Sequence, residues 1–298
     1  MELIKVIPRG YCKGVVRAIN IAKETAQKYP NKKIYILGML VHNKYVIEAL
    51  KNYHIITIDD KNKSREQLLE EIEDGIVIFT AHGIHPKVKI QAEAKGLTCI
   101  DASCLDVLRT QDIVNQYLDQ NYEILYIGKK HHPESSAVCD HNDHVHLIEK
   151  AEDIHILPNF EKVFVTNQTT MSYSDVKHLF DEIQKRYKKV IISDEICNAT
   201  RSRQEAVAAL HDIDALIVVG DKASNNANRL AQIAKEKGII KVYLIDDVND
   251  LDVKAICTLR RVAITAGAST PTYLINQVIY CLENKIFEKQ KIEKDKIL

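Results

Sequence analysis

The sequence predicts an α/β protein of three similar lobes, each with a mostly parallel sheet, set in a trefoil about one pseudo-threefold axis. Three observations carry that reading. Short β-branched runs alternate with longer amphipathic stretches along the whole chain, the rhythm of parallel sheets joined by crossover helices. Cys12, Cys104 and Cys197 each stand just after a strand-like run and just before a helix-like one, 92 and 93 residues apart. The polar groups that follow each cysteine return in register, which marks an internal repeat.

Taken in order, strands are expected at Leu3 to Ile7, Ile34 to Leu37, Ile76 to Thr80, Ile124 to Ile127, Val163 to Thr166, Val190 to Ile192, Leu216 to Val219, Val242 to Ile245 and Val262 to Thr265. The helix after Cys12 carries Val15, Ala18, Ile19 and Ala22, and the one after Cys197 carries Ala206, Ala209, Leu210 and Ile213, both at i, i+3, i+4, i+7. The helix after Cys104 is less regular. Counting from each cysteine, a strand ends in Gly38, Gly128 or Gly220, at offsets of 26, 24 and 23. His42-Asn43, His132-Pro133-Glu134 and Ser224-Asn225-Asn226 follow. A further strand then ends in AHG with His82, NQTT with Thr169 or GAST with Ser269, at offsets of 70, 65 and 72. The expected lobes are 1–103, 104–196 and 197–284, with a charged tail at 285–298. The Lys-rich run from Glu283 to Leu298 reads as a solvated helix or frayed end.

The 298 residues are enough to bury a sizeable core. With 41 Lys+Arg against 41 Asp+Glu, the chain lacks the broad basic face of a nucleic-acid or anionic-membrane binder. No apolar run approaches the ~18 residues of a spanning helix, and Met1 leads straight into a strand-like stretch without a signal peptide, so a cytoplasmic protein is expected. Seven cysteines, an odd number, fit reduced thiols or metal ligands better than a disulfide framework.

Cys99, Cys139, Cys257 and Cys281 read as small buried hydrophobes. Cys12, Cys104 and Cys197 differ because a helix N-terminus favours the thiolate, the form that binds metal. Three thiolates without an obvious fourth suggest either zinc completed by a His or an iron-sulfur cluster with one iron open. Structural zinc sites usually use local C-x₂₋₄-C pairs, so ligands about 90 residues apart favour a cluster held between lobes. His42, His82 and His132 stand at strand ends, where imidazoles can donate to phosphate oxygens. Ser224, Asn226 and Ser269 add uncharged donors, and helix N-termini favour the same anion. The expected ligand is therefore small and highly anionic. Glu134 is the one carboxylate in this set and is best used to carry a proton, with the Thr169 hydroxyl between it and the ligand. Asp101 and Glu195 precede their cysteines and read as caps or fold stabilisers. Neither G-x-x-x-x-G-K-[ST] nor a post-strand G-x-G-x-x-G occurs, so ATP and NAD have no support.

PRGYCKGV, VHN, FTAHG, DASC, HPE, TNQTT, EICNAT, RQEAV, SNNANRL and TAGASTP, in this order over residues 8 to 271, resemble the 4-hydroxy-3-methylbut-2-enyl diphosphate reductase family of the non-mevalonate isoprenoid route. The resemblance implies three lobes around a central [4Fe-4S] cluster held by Cys12, Cys104 and Cys197, whose fourth iron receives the substrate hydroxyl. It implies that His42, His82, His132, Thr169, Ser224, Asn225, Asn226 and Ser269 contact the substrate, most of them at its diphosphate, and that Glu134 with Thr169 supplies the proton. It also implies a reduced ferredoxin or flavodoxin as electron donor, and isopentenyl and dimethylallyl diphosphate as products. The chain departs from the usual pattern at Leu105, where Pro is common, at Ser103 in place of Thr, at Lys129 where many members carry His, and at Asn225 in place of a second Ser. The segment after Glu134, SSAVCDHNDHVHL, looks shortened and is rich in His and Cys. Two readings from other classes are a non-catalytic zinc protein, which would be colourless and free of iron, and a cluster-based redox sensor, which would need no diphosphate pocket.

Overall fold

The structure, a computed structural model, describes residues 1–60, 62–140 and 142–298; His141, in the segment after Glu134, lies outside them. The chain opens with β1 (Glu2–Lys5) and α1 (Lys13–Lys28). A first sheet is then built from β2 (Ile34–Leu37), β3 (Ile55–Ile58), β4 (Ile76–Phe79) and β5 (Thr98–Asp101), with α2 (Lys44–Leu50), α3 (Arg65–Glu70) and α4 (Pro86–Ala94) between them. α5 (Leu105–Leu118) leads to a second sheet of β6 (Glu123–Ile127), β7 (Val145–Ile148), β8 (Val163–Asn167) and β9 (Val190–Ile192). Its connections carry α6 (Pro133–Cys139), α7 (Ala151–Ile156) and α8 (Tyr173–Arg186). α9 (Asn198–Ala208) leads to the third, with β10 (Ala215–Val219), α10 (Asn225–Glu236), β11 (Lys241–Ile245), α11 (Val253–Ile256), β12 (Arg261–Ala266) and finally α12 (Thr272–Asn284).

The sheet orders are β3-β2-β4-β5, β7-β6-β8-β9 and β11-β10-β12-β1. All three follow one rule, second-first-third-fourth. In the third sheet the fourth strand is β1, from the head of the chain, paired in parallel with β12 from Glu2↔Arg261 to Lys5↔Ile264. The pairings of β6 with β7 and β8, and of β10 with β11 and β12, are parallel as well. This order sets the first and third strands side by side and sends their connections away in opposite directions. Their C-terminal ends therefore flank a crevice, the usual ligand position in open parallel sheets. Each cysteine singled out above follows a fourth strand, and the polar clusters follow first or third strands.

Three parallel α/β sheets agree with the predicted fold class. The central strands were legible because they are covered on both faces and read as continuous apolar runs. Ile124, Leu125, Tyr126 and Ile127 of β6 and all of β10 are fully buried. The strands not anticipated, β3, β5 and β7, are all edges with half-exposed positions. In α1 the expected stripe Val15, Ala18, Ile19 and Ala22 is buried. α9 differs: it ends at Ala208 and buries Thr200, Arg203, Gln204 and Val207. Ala206, Leu210 and Ile213 are half-buried against the core of the third sheet, so apolar spacing continued past the end of the helix.

The chain separates into two compact units, Met1–Lys28 with Val41–Ile56 and Asn198–Leu298, and Tyr29–Leu40 with Thr57–Cys197. In the first unit the C-terminal segment is not a frayed end. Tyr11 Oη donates to the Ile297 carbonyl at 2.8 Å, and Ile297 is 2% exposed. Asn249 and Gln290 exchange hydrogen bonds, Glu293 N–H donates to Tyr273 Oη, and Lys294 pairs with Glu48. One buried isoleucine and a ladder of polar contacts outweigh a Lys-rich composition that suggested solvation. Among the described residues no helix is long and apolar enough to cross a membrane.

Candidate active site

In the second unit, the crevice between β6 and β8 is occupied by Glu134 and Thr169. α6 begins with His132 as its N-cap and Pro133 at its first turn, a favourable start because proline lacks an N–H to satisfy. His132 Nδ1 accepts the Glu134 backbone N–H at 3.2 Å. With Nδ1 accepting, Nε2 is the ring nitrogen left to donate. The His82 ring meets the His132 ring edge-on, with centroids 5.7 Å apart. Gly83 makes the His82 turn: its φ is +84°, and a Cβ there would stand 2.9 Å from Val107 Cγ1 of α5.

Glu134 is 2% exposed. Its Oε1 accepts the Thr169 backbone N–H at 2.7 Å, and its Oε2 accepts the Thr169 hydroxyl at 3.1 Å. Burial raises its carboxyl from 4.5 to about 7, against the opposing pull of the Thr169 donors and the Tyr126 hydroxyl. Such a group holds or releases a proton near neutrality. The Thr169 carbonyl accepts the Cys197 N–H at 3.1 Å, and the Ala81 carbonyl, beside His82, accepts the Cys104 N–H at 3.0 Å. The structure thus gathers His82, His132, Glu134, Thr169, Cys104 and Cys197 by direct contacts or through neighbouring backbone.

A buried polar network beneath this cluster was not foreseen. Gln168, fully buried, accepts from Lys129 N–H (3.0 Å) and the Ser135 hydroxyl (3.2 Å) and donates to Thr170 Oγ1 (2.7 Å). Asn167, also fully buried, accepts the Glu195 N–H at 3.1 Å. Glu195 accepts from Ser193 and pairs with Arg109 of α5 at 3.2 Å, while Asp101 accepts the Ser103 N–H at 2.8 Å. Asp101 and Glu195 therefore shape the turns before Cys104 and Cys197, as expected of fold stabilisers. Two amides at the end of an apolar strand were the available signal, because a buried amide needs partners on every side.

In the first unit, Ser224 caps α10 by accepting the Ala227 N–H, and Asn226 Oδ1 accepts the Ala268 N–H at 3.0 Å. The Ala268 carbonyl accepts the Cys12 N–H at 3.0 Å, and the Ser269 hydroxyl donates to the His42 carbonyl at 2.9 Å. Asn225 opens α10 and is half-exposed. Asn43 caps α2, accepting from Tyr45 and Val46 N–H. Cys12, His42, Ser224, Asn226 and Ser269 thus belong to one set around the ends of β10 and β12. The turn before Cys12 is held by Arg203, 3% exposed, whose Nη2 donates to the Gly10 carbonyl at 2.6 Å. An open groove of about 680 Å³ runs from Cys12 along α1 to Glu24.

Cys12, Cys104 and Cys197 are half-buried cysteines outside any disulfide, each at a helix start. Burial pushes the thiols of Cys99, Cys139 and Cys281 up, which keeps them protonated. Sulfur donors at three helix starts fit an iron-sulfur cluster by chemistry. Among the described residues no three His, Cys, Asp or Glu side chains are gathered closely enough for a single metal ion, so the fit rests on donor type and position.

The comparisons with known proteins point the same way. The chain is 48% identical over 287 residues to the 4-hydroxy-3-methylbut-2-enyl diphosphate reductase of Brevibacillus brevis, an alignment covering 95% of this chain and 92% of that protein. It superposes on the E-1-hydroxy-2-methyl-but-2-enyl-4-diphosphate reductase of Plasmodium falciparum with a TM-score of 0.86 at 30% identity, covering 99% and 96% of the two chains. A second solved structure, an (E)-4-hydroxy-3-methyl-but-2-enyl diphosphate reductase described as the terminal enzyme of the non-mevalonate pathway, matches with a TM-score of 0.67 at 33% identity over 95% and 100% of the chains. The LytB protein family matches residues 3–283. With the sheets, the family model and relatives matched over nearly the whole chain in agreement, the chain belongs to the LytB family, a family of iron-sulfur oxidoreductases.

Proposed function

We propose that this chain removes the allylic hydroxyl of 4-hydroxy-3-methylbut-2-enyl diphosphate as water, giving isopentenyl and dimethylallyl diphosphate. Two electrons and two protons convert one substrate to one product and one water; one proton leaves with the hydroxyl oxygen and the other ends on carbon. Cys12, Cys104 and Cys197 would hold a [4Fe-4S] cluster, which would supply single electrons drawn from a reduced ferredoxin or flavodoxin. Glu134 holds a proton near neutral pH, and the Thr169 hydroxyl on its Oε2 gives that proton a route to the substrate. His132 donates from Nε2, and His42, His82, Ser224, Asn225, Asn226 and Ser269 complete the diphosphate contacts without adding negative charge.

The observation that carries this reading is the buried Glu134–Thr169 pair, whose Thr169 carbonyl also holds the Cys197 N–H. The test is Glu134→Gln in anaerobically purified protein. We expect iron, sulfide and the visible spectrum to match the parent while turnover falls about 10²- to 10⁴-fold, the usual worth of a positioned acid. Normal turnover with the cluster intact would remove Glu134 from the mechanism, and a colourless zinc protein would remove the reductase reading itself.

A further inference from the structure

The segment Val41–Ile56 carries His42, and although its neighbours in sequence belong to the second unit, it packs with the first. What holds it there is a set of acids at the C-terminal ends of β10 and β11. Lys44 N–H donates to Asp221 Oδ2 at 3.0 Å, Lys44 Nζ pairs with Asp246, and the Tyr45 hydroxyl donates to Asp247 Oδ2. Asp247 is 8% exposed, and its other oxygen accepts the Asn249 N–H at 2.7 Å, so the carboxylate is fixed on both sides. Asp246 N–H in turn donates to Asp250. Burial and the Asp247 charge push the Tyr45 phenol well up, so it remains a donor across the working pH range.

We infer that Tyr45 is a positioning residue: through its hydroxyl bond to Asp247 it fixes the start of α2, and with it the register of His42 against Ser269. The inference rests on the proposed role of His42 in binding the diphosphate. Tyr45 touches no substrate in this scheme. Two residues along α2 from the Asn43 cap, it decides where the cap and the preceding histidine stand. A bond from a half-buried phenol to a buried carboxylate that is held on its other oxygen is directional and little screened, whereas the exposed Lys44–Asp246 pair is screened and adjusts. Positional error at His42 weakens the grip on the anion and leaves the chemistry at Glu134 untouched.

The test uses the cluster-loaded full chain and inorganic diphosphate as a competitive probe. Tyr45→Phe keeps the ring and loses one hydroxyl. The expected result is a roughly tenfold rise both in KM and in the inhibition constant of inorganic diphosphate, with kcat within about twofold of the parent. Adding Asp247→Ala to that variant changes these constants by less than Asp247→Ala does alone, because the two substitutions share the Tyr45–Asp247 bond even though Asp247 also holds the Asn249 N–H. Unchanged constants in Tyr45→Phe, a loss confined to kcat, or fully additive losses in the double variant overturn the inference. His42→Ala separates it from its premise. If His42→Ala leaves inhibition by inorganic diphosphate unchanged, the anion-binding reading of His42 falls and the inference falls with it. If His42→Ala weakens inhibition and Tyr45→Phe does not, only the positioning role is lost.

Discussion

The crevice between β6 and β8 and the one between β10 and β12 occupy the same topological seat, yet their furnishings differ. The first holds a buried carboxyl, Glu134, beside the His132 cap; the second holds the hydroxyls of Ser224 and Ser269 and the amide of Asn226, with no carboxylate among them. In both, a polar residue caps the helix leaving the first strand, and a polar loop leaves the third. On the function proposed above, one backbone frame serves proton transfer in one lobe and anion recognition by uncharged donors in another. The difference lies in support. Glu134 stands over the Gln168 network, and its burial raises its carboxyl. The amide of Asn226 instead holds the backbone of Ala268 directly.

Removing the support is the most severe way to break this comparison. Gln168→Leu leaves the buried Ser135 hydroxyl and the part-buried Lys129 N–H without their acceptor, at a cost of about 2 kcal/mol. A denaturant midpoint on the cluster-loaded protein measures it, and turnover is expected to fall with it because α6 carries Glu134. A smaller effect appears with pH. Glu134 acts as an acid only while protonated, so kcat is expected to decline as pH rises through about 7, and Glu134→Gln loses that limb. The sign for stability is the same: a folded-state carboxyl raised from 4.5 to about 7 makes the chain less stable as pH rises across that window. Tyr126→Phe sharpens the assignment, since removing a donor that favours the charged carboxylate moves the limb upward. The mildest change belongs to the other crevice. Ser224→Ala loses the α10 cap, about 1 kcal/mol, and is expected to raise KM a few-fold while leaving kcat and its pH profile unchanged.

Much of this arrangement was legible because the site follows the strands that are easiest to read. His42, His132 and Ser224 come after first strands and His82, Thr169 and Ser269 after third strands, each at the end of an apolar run that periodicity detects. Edge strands such as β5, with residues TCID, mix exposed and half-buried positions and give no comparable signal. The scaffold under the site was hidden for another reason. Arg109 and Arg203 acquire their roles from partners far along the chain, and nothing local marks them; the adjacent amides Asn167 and Gln168 at the end of an apolar strand signal a network but not its partners. β1 shows a similar limit: its apolar pattern reveals a strand, but its place beside β12 is a fact of the whole chain.

The anchoring of Ile297 has a practical consequence for following how the first unit opens. In a chain that ends at Leu298, an exopeptidase next meets Ile297, which is 2% exposed and whose carbonyl is held by Tyr11. Digestion should stall there until the segment lifts, so the rate of trimming at low enzyme reports the population of an opened state. Because Tyr11 adjoins Cys12, the last residues of this sequence become a chemical clock for the surroundings of a cysteine almost three hundred positions away.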